Sequence, residues 1–499
     1  MPAPRKRAVV LKALLPLPLL LLGVFLALPA RAAPDDPGAP PREERERGTS
    51  GVSQVAVEFT AGERTVRGAV LAPEGTEDQH PGVVLVAGSG AGVPMETYLP
   101  VAEAFAAAGV VALVYDKRGE ADGDGLSEAS LPDLADDAVA GVRLLRERPD
   151  VRSDLVGVHG HSEGGWTVIE AGVRSAEVDF VVAAAPSALP PDRTQIWMNQ
   201  VQLRHAGVSD RLLDDLGGRL TRHVVGADAF RLAGHDPLPD LARLEQPFLG
   251  VIAEHDRSTP PGQTLELYRD TLEGSGHPHH TLRVVPGVGH GMKPSPDGFV
   301  EGVADPDALF EGLAPEYVDT VTGWVHGLAA GDPGGGSDAP PAQDLESLQQ
   351  PPAGPGALWF LAATGGGSLV CFSAYLGIGL IARVRGNRGQ GRSRSPVAGA
   401  RGALAVLGLS LPPLTMSYLG WIMMTAGTEV GTVVLGRPLP WLGLQVGALA
   451  ALGATAVLLL AWWNRPDPLT GVDRVRLGLL LVGAATLLSW AVTWGLLTP

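Results

Sequence analysis

The sequence predicts an α/β domain, with a mostly parallel sheet covered by helices on both faces, followed by a bundle of four transmembrane helices. Two patterns carry this prediction. Between residues 52 and 327, short apolar runs alternate with longer amphipathic runs, which is typical of parallel strands joined by crossover helices. From residue 357 onward, four apolar stretches each reach the roughly 20 residues that a helix needs to cross a bilayer.

The first 51 residues resemble an export signal and a spacer. Arg5-Lys6-Arg7 is basic, residues 14–28 are apolar, and Ala30-Arg31-Ala32 offers a small-residue cleavage site. We therefore expect residues 1–32 to be a signal peptide, with an uncleaved anchor helix as the alternative; either would export the adjoining domain. Residues 33–51, rich in proline and charge, are expected to be a disordered linker.

The α/β domain is expected over residues 52–327. The first two strand-like runs predict a hairpin and the later ones predict buried strands. These runs cover residues 55–59, 65–70, 82–87, 110–115, 154–159, 180–185, 248–253 and 281–285. Residues 187–245 interrupt the alternation with helix-like sequence, which predicts a helical cap, extra surface helices being the alternative. Ser130 and Asp133 have the spacing of a capping box that opens a helix.

The C-terminal part is expected to be a Pro/Gly-rich linker and a membrane bundle. The linker covers residues 328–356, and the predicted spans are 358–382, 402–426, 439–463 and 477–497 of the region 357–499. The loop at 383–401 is the most basic and the loop at 464–476 holds three arginines, so both are expected in the cytoplasm. The α/β domain is then extracytoplasmic. The bundle is expected to be a plain anchor; a sensor, a partner-binding bundle or a lipid entry site are alternatives.

Charge is divided unevenly along the chain. The net charge is −16, and all but three of the 54 acidic residues precede Ala357. An acidic exported domain disfavours nucleic acid as a partner. The single cysteine, Cys371, excludes an intrachain disulfide. Lysine is nearly absent, which we attribute to codon bias.

Gly160-His161-Ser162-Glu163-Gly164 is the most informative motif. An apolar run precedes it and a helix-like run comes after it. A serine at the apex of a tight turn between a strand and a helix is the nucleophile elbow of α/β-hydrolases. Glycines flank the serine because the turn leaves no room for a Cβ. Ser162 is therefore the candidate nucleophile.

A serine hydroxyl needs a base oriented by an acid, and these come after Ser162 in the chain order acid, then histidine. Asp256 comes directly after the run at 248–253, and His290 comes just after the run at 281–285. Both then lie at the carboxyl ends of strands, where open α/β sheets place their sites. We assign Asp256 as the orienting acid and His290 as the general base.

Several neighbours compete for these roles. Glu254 is the alternative acid. The alternative bases are His255, His277, His279 and His280. The cluster from His277 to His280 resembles a solvated loop and lacks a carboxylate or cysteine partner at a convincing metal-ligand spacing, so no metal site is expected. His159 and His161 are expected to pack or hydrogen-bond locally.

Two backbone N–H groups are expected to stabilise the developing oxyanion. One belongs to Glu163, directly after the nucleophile. The other comes from the Gly-rich loop Ala87-Gly88-Ser89-Gly90-Ala91-Gly92. Our choice is the Ser89 N–H, with Gly88 or Gly90 as alternatives. A phosphate-binding loop is disfavoured, because the Lys-Ser/Thr ending and the G-x-G-x-x-G spacing are missing.

Together these motifs resemble the α/β-hydrolase superfamily, and most closely its bacterial dienelactone-hydrolase-like and serine-aminopeptidase-like (S33-type) members. The resemblance covers residues 52–327 and rests on Gly88-Ser89-Gly90, Tyr115-Asp116-Lys117-Arg118-Gly119, the elbow, Asp256 and His290. It implies a mostly parallel eight-stranded sheet, no cofactor, and structural roles for Asp116 and Arg118. Ala87 stands where many relatives have a histidine.

The expected function is hydrolysis of a carboxylic ester through an acyl-enzyme by a membrane-tethered, extracytoplasmic serine hydrolase. A small acyl compound is the expected substrate. A peptidase or thioesterase of the same fold is the alternative within this class. A non-catalytic hydrolase-like module, sensing or binding through the membrane bundle, is the alternative from another class.

Overall fold

A computed structural model describes residues 51–498 apart from 76–77, 91, 120–128, 231, 300–308, 355, 385–395 and 465–470. The expected signal peptide at 1–32 and nearly all of the expected disordered linker at 33–51 lie outside the described residues. Most of the basic loop between the first two predicted spans also lies outside them.

A nine-stranded sheet is the centre of the α/β domain. The strands are β1 (Val52–Ala61), β2 (Arg64–Pro73), β3 (His80–Val86), β4 (Val111–Tyr115), β5 (Val151–His161), β6 (Val181–Ala184), β7 (Phe248–Ala253), β8 (His280–Val285) and β9 (Gly336–Ser337). Their order in the sheet is β1-β2-β4-β3-β5-β6-β7-β8-β9. β1 and β4 pair with β2 antiparallel, and all other neighbours pair parallel. The α/β prediction is confirmed, with one strand more than the resemblance implied.

Helices cover both faces of this sheet. They are α1 (Leu99–Ala107), α2 (Leu131–Arg146), α3 (Glu163–Arg174), α4 (Pro191–His205), α5 (Asp210–Gly217), α6 (Arg219–Gly226), α7 (Leu238–Leu241), α8 (Pro261–Ser275) and α9 (Pro315–Ala329). Alternate residues of β3 show the two layers. Val84 and Val86 belong to the core under α2 and α3, while Val83 and Leu85 belong to the core under α1 and α9. Such strands are apolar on both faces, which explains why they read as continuous apolar runs.

A capping box begins α2, as the spacing of Ser130 and Asp133 predicted. The Ser130 hydroxyl oxygen accepts a hydrogen bond from the Asp133 N–H, and the Asp133 carboxylate accepts one from the Ser130 N–H at 2.9 Å. The start of a helix leaves four N–H groups without an intrahelical acceptor, and the capping box provides an acceptor for two of them.

Helices α4 to α7 form one insertion between β6 and β7, in the segment expected to be a cap. His205, the last residue of α4, stacks on Phe299 with the two ring centroids 3.7 Å apart. Phe299 comes after the loop that carries His290. The insertion therefore contacts the loops at the carboxyl end of the sheet.

The segment expected to be a plain linker is an ordered strap (residues 331–353) along one side of the domain. It supplies β9, which extends the sheet beyond β8. Its further hydrogen bonds reach the sheet edge, helix α8 and the insertion: Asp338 N–H to Leu282 O, Gln343 Nε2 to Gln263 Oε1, Trp197 Nε1 to Leu345 O, and Ala353 N–H to Arg222 O. The strap thus fixes the insertion to the sheet.

Four apolar helices come next along the chain, each long and apolar enough to cross a membrane. They are span 1 (Ala357–Ala382), span 2 (Val397–Met424), span 3 (Leu439–Trp463) and span 4 (Gly471–Thr493). Spans 2 and 4 begin five and six residues before the apolar stretches in the sequence. The reason is that helical hydrogen bonding continues through charged residues such as Arg401 and Asp473, which a count of apolar residues leaves out.

The insertion and the four candidate membrane helices share one apolar core. Leu212, Leu213 and Leu216 of α5 belong to the same buried cluster as Trp441 of span 3 and Trp494 after span 4. Polar contacts surround this cluster: Ser209 N–H donates to Gly436 O between spans 2 and 3, and Arg219 donates to Thr493 O. These contacts all lie at one end of the bundle, and the helix ends that adjoin the two basic segments of the sequence lie at the other end.

Candidate active site

Ser162 occupies a strained turn between β5 and α3. Its φ is 57° and its ψ is −118°, a conformation that costs a non-glycine residue about 1–3 kcal/mol. A Cβ on Gly160 would lie 2.0 Å from Gly164 O, and one on Gly164 would lie 2.5 Å from Val86 O. Both positions therefore require glycine, and the turn projects the serine at the carboxyl end of β5.

Asp256 and His290 meet at the same edge of the sheet. His290 Nδ1 lies 2.8 Å from Asp256 Oδ2. The other carboxylate oxygen accepts the Ser258 and Thr259 N–H groups at 2.7 and 2.8 Å, and the Thr259 hydroxyl donates to Oδ2 at 2.8 Å. Because the carboxylate can only accept, His290 carries its proton on Nδ1. Its Nε2 is then the acceptor, as a general base requires.

Asp256 remains a carboxylate despite its burial. Burial alone would raise the pKa of this carboxyl, but the charge and hydrogen bond of His290 and the two backbone donors outweigh burial. The pKa therefore lies below the ordinary value for aspartate. A carboxylate in this position would stabilise His290 in its protonated form.

Ser162 lies near Asp256 and His290, because the residue before it, His161, packs against His290. The rings of His161 and His290 are 4.8 Å apart, and Ser162 is the next residue after His161. Within the residues that the structure describes, the Ser162 hydroxyl and the His290 ring form no hydrogen bond. Catalytic hydrogen bonds of this kind often tighten only in the complex with substrate.

The competing side chains are engaged elsewhere. Glu254 accepts the Gly287 N–H at 2.7 Å, and the structure pairs His290 with Asp256 instead. His255 bonds Ser295 O at 2.7 Å. His277, His279 and His280 lie at the amino end of β8, the opposite end from Asp256. No group of three His, Cys, Asp or Glu side chains suited to a metal ion occurs in the described part of the chain.

His161 holds the backbone of His290. Its Nε2 donates to His290 O at 2.8 Å, so its Nδ1 is without a proton. Burial, followed by the nearby His290, lowers the pKa of His161 to about 3. His161 is therefore neutral at all pH values at which the protein would be assayed, and its hydrogen bond fixes the backbone of the candidate base His290.

We expect His161→Ala to lower kcat by about 10- to 100-fold with little change in KM, because small displacements of a catalytic group cost this much. The acidic limb of the pH–rate profile should stay in place, since His161 does not titrate there. His159→Gln is the matched control: His159 is equally buried on the same strand but bonds Tyr317 Oη at 2.7 Å. It should lower stability and leave kcat unchanged. A limb that moves with the His161 substitution would contradict this role.

The Gly-rich loop after β3 contacts the candidate nucleophile, Ser162. A Cβ on Gly88 would lie 3.3 Å from Ser162 Cβ, so glycine allows the loop to approach. The Gly88 N–H already donates to Tyr98 Oη at 2.7 Å, which disfavours it as an oxyanion donor. Ser89, our choice, is exposed at the next position. Glu163 is the first residue of α3, where backbone N–H groups have no intrahelical acceptor.

Lys117 was not predicted to lie at the candidate site. It lies after β4 and forms an ion pair of 2.9 Å with Glu163, both side chains being buried. Its Nζ also donates to Gly88 O at 2.5 Å. The chain has only four lysines. One of them, Lys117, lies between Asp116 and Arg118 in the motif that carries the family resemblance, and this position could have pointed to it. Tyr98 and Thr259 carried no signal in the sequence.

A serine elbow at the carboxyl edge of a mostly parallel sheet, with helices on both faces, defines an α/β-hydrolase domain. The described domain therefore has the α/β-hydrolase fold, and four candidate membrane helices come after it. The family model of serine aminopeptidase, S33, matches residues 79–224, which agrees with the resemblance noted in the sequence.

Solved structures that are similar to the chain include three hydrolases. A protein described as a dienelactone hydrolase from Klebsiella pneumoniae is 14% identical over 56% of this chain and 97% of its own, with a TM-score of 0.38. An esterase from Pyrococcus furiosus is 17% identical over 55% of this chain and 90% of its own, with a TM-score of 0.37. An acylaminoacyl peptidase from Pyrococcus horikoshii is 16% identical over 56% of this chain and 42% of its own, with a TM-score of 0.38. A search of curated protein sequences finds no match.

Proposed function

We propose that the protein is a membrane-tethered, extracytoplasmic serine hydrolase that cleaves carboxylic esters. The observation that carries the proposal is the 2.8 Å bond between His290 Nδ1 and Asp256, at the sheet edge where the strained elbow presents Ser162. A buried, ionised carboxylate that holds the histidine in one tautomer is the arrangement that makes a neighbouring serine hydroxyl nucleophilic.

In this proposal Ser162 Oγ attacks the acyl carbon while His290 Nε2 accepts the hydroxyl proton. The N–H groups of Glu163 and Ser89 stabilise the oxyanion. His290 then gives the proton to the leaving alkoxy oxygen, so that an alcohol departs and Ser162 carries the acyl group. His290 next takes a proton from water, whose oxygen attacks the acyl carbon. Returning that proton to Ser162 Oγ releases the carboxylic acid.

The proposed location rests on the bundle. The insertion contacts the starts of spans 1 and 3 and the ends of spans 2 and 4. The arginine-rich loops join the spans at the opposite end, and such loops remain in the cytoplasm. The α/β domain is then on the outer side, in agreement with the signal peptide or anchor helix expected at residues 1–32.

A peptidase acting on N-terminal residues is the second candidate. The family model that matches residues 79–224 is that of a serine aminopeptidase, and the same Ser-His-Asp chemistry cleaves amides. A thioesterase would use the same residues. A panel of p-nitrophenyl esters, acyl thioesters and aminoacyl anilides separates these reactions by kcat/KM.

A membrane-impermeant fluorophosphonate tests the chemistry and the location together. We expect it to label the wild-type protein on intact cells and to leave Ser162→Ala unlabelled. His290→Ala should label at least about 100-fold more slowly, because the serine loses its base. Labelling only after lysis would overturn the extracytoplasmic location. No labelling of folded wild-type protein under either condition would overturn the serine hydrolase proposal.

A further inference from the structure

Lys117 connects the two chain segments that carry the proposed oxyanion donors. Its ammonium donates to Gly88 O at 2.5 Å and to a Glu163 carboxylate oxygen at 2.9 Å. Gly88 precedes Ser89 in the loop after β3, and Glu163 is the residue directly after Ser162. The side chains of Lys117 and Glu163 are each only 6% exposed. The contact is therefore a built feature of the interior and not a surface ion pair.

The carbonyl group that Lys117 holds belongs to the same peptide unit as the Ser89 N–H. This peptide bond is trans, like every other described peptide bond. A trans peptide is planar, and its C=O and N–H groups point in opposite directions. Holding Gly88 O toward Lys117 therefore directs the Ser89 N–H away from Lys117. The orientation of the proposed donor is set by the lysine.

The loop needs this restraint because it is rich in glycine. Gly88 cannot carry a Cβ without crowding Ser162, and Gly90 has a φ of 120°. Glycines leave neighbouring peptide planes free to rotate, and a rotated plane would present a carbonyl oxygen to the oxyanion instead of an N–H. The Gly88 N–H donates to the Tyr98 hydroxyl at 2.7 Å. Tyr98 therefore holds the peptide unit before Gly88, and Lys117 holds the peptide unit after it.

We propose that Lys117, held by the Glu163 carboxylate, is a positioning residue that orients the Ser89 N–H toward the oxyanion. The positive charge also polarises the Gly88–Ser89 peptide, which makes its N–H a stronger donor. This role rests on the proposed function and deepens it: the second oxyanion donor is Ser89, and the lysine acts through it without touching the substrate.

Removing the lysine together with its buried counter-charge tests the proposal in the full-length protein. We compare K117M/E163Q with E163Q, since a glutamine at 163 can still accept from Lys117. Relative to E163Q, the double variant should lose about 10²- to 10³-fold in kcat on a p-nitrophenyl ester, the cost of one oxyanion donor. KM should change by less than about 3-fold, because the interaction is made in the transition state.

A second readout separates positioning from a general structural role. An alkyl trifluoromethyl ketone forms a hemiketal with Ser162 whose oxyanion needs the same donors, so its inhibition constant should rise by about the factor lost in kcat/KM. Arg146→Met is the control. Arg146 pairs with Asp179 at 2.7 Å near the amino end of β6, so this variant should be less stable with an unchanged kcat per labelled site.

The outcomes are distinct. Equal kcat values and inhibition constants in K117M/E163Q and E163Q overturn the role of Lys117 while the enzyme proposal stands. Failure of wild-type protein to react with a fluorophosphonate overturns the enzyme proposal itself. If the double variant does not fold, Lys117→Gln replaces it. Its expected loss is about 10-fold in kcat at constant KM, and an unchanged kcat again overturns the role.

Discussion

Asp256→Asn is expected to lower kcat by about 10⁴-fold, the loss that results when the catalytic histidine is held in the wrong tautomer. Oδ1 of Asp256 accepts two backbone N–H groups, from Ser258 and Thr259. An asparagine would place its oxygen there, because an NH₂ group cannot accept. Its NH₂ group would then face His290 Nδ1, which would have to become the acceptor. His290 Nε2 would carry the proton and could not take one from Ser162.

Glu254→Gln is the matched control for this prediction. Glu254 is two residues away and accepts the Gly287 N–H at 2.7 Å, a bond that the glutamine oxygen can keep. Its kcat should stay within about 3-fold of the wild-type value, as for a substitution away from the reacting groups. Rates are measured on the full-length protein with a p-nitrophenyl ester. A large loss in Glu254→Gln with little loss in Asp256→Asn would show that Glu254 is the acid.

Gly160→Ala is expected to destabilise the domain by more than about 4 kcal/mol, which places it among the rare severe substitutions. The new Cβ would lie 2.0 Å from Gly164 O. This oxygen is part of the backbone of the elbow, so the clash cannot be relieved by moving a side chain. Either the turn opens and displaces Ser162 or the domain fails to fold. Thermal melting of detergent-solubilised protein and resistance to limited proteolysis measure this loss.

Gly323→Ala supplies the opposite result in the same protein. Gly323 lies inside α9 and an added Cβ would meet nothing within 4 Å. Alanine there should stabilise the helix by about 0.5–1 kcal/mol. A Gly160→Ala protein that melts within a few degrees of wild type would show that the elbow is looser than its geometry indicates.

The parts of the fold that depend on local sequence were predictable. Buried parallel strands are apolar on both faces, so 82–87 and 248–253 stood out as strands before any pairing was known. The elbow and the two downstream residues obey a fixed chain order, and this order led to Ser162, Asp256 and His290. The structure brings Asp256 and His290 into hydrogen bonding, while their catalytic roles remain predictions.

The remainder depends on contacts between distant segments. β9 is two residues long and begins with glycine, so neither propensity nor alternation marks it, and its strap was expected to be a linker. Lys117 meets a partner 46 residues further along the chain, and one sequence gives no sign of that pairing. The apolar faces of the spans indicate that they are buried, but either lipid or protein can bury an apolar face. The sequence therefore did not predict the contact with α5.

The shared core of the insertion and the bundle has a consequence for proteolytic release of the α/β domain from the four candidate membrane helices. Many surface proteins are shed when a protease cuts the stalk above their anchor. Here a cut in the strap would leave Leu212, Leu213 and Leu216 still packed among the tryptophans of the membrane helices. A nicked chain should stay together, and a freed domain would expose an apolar face. The domain should therefore be held on the four candidate membrane helices by its packing as well as by its covalent chain.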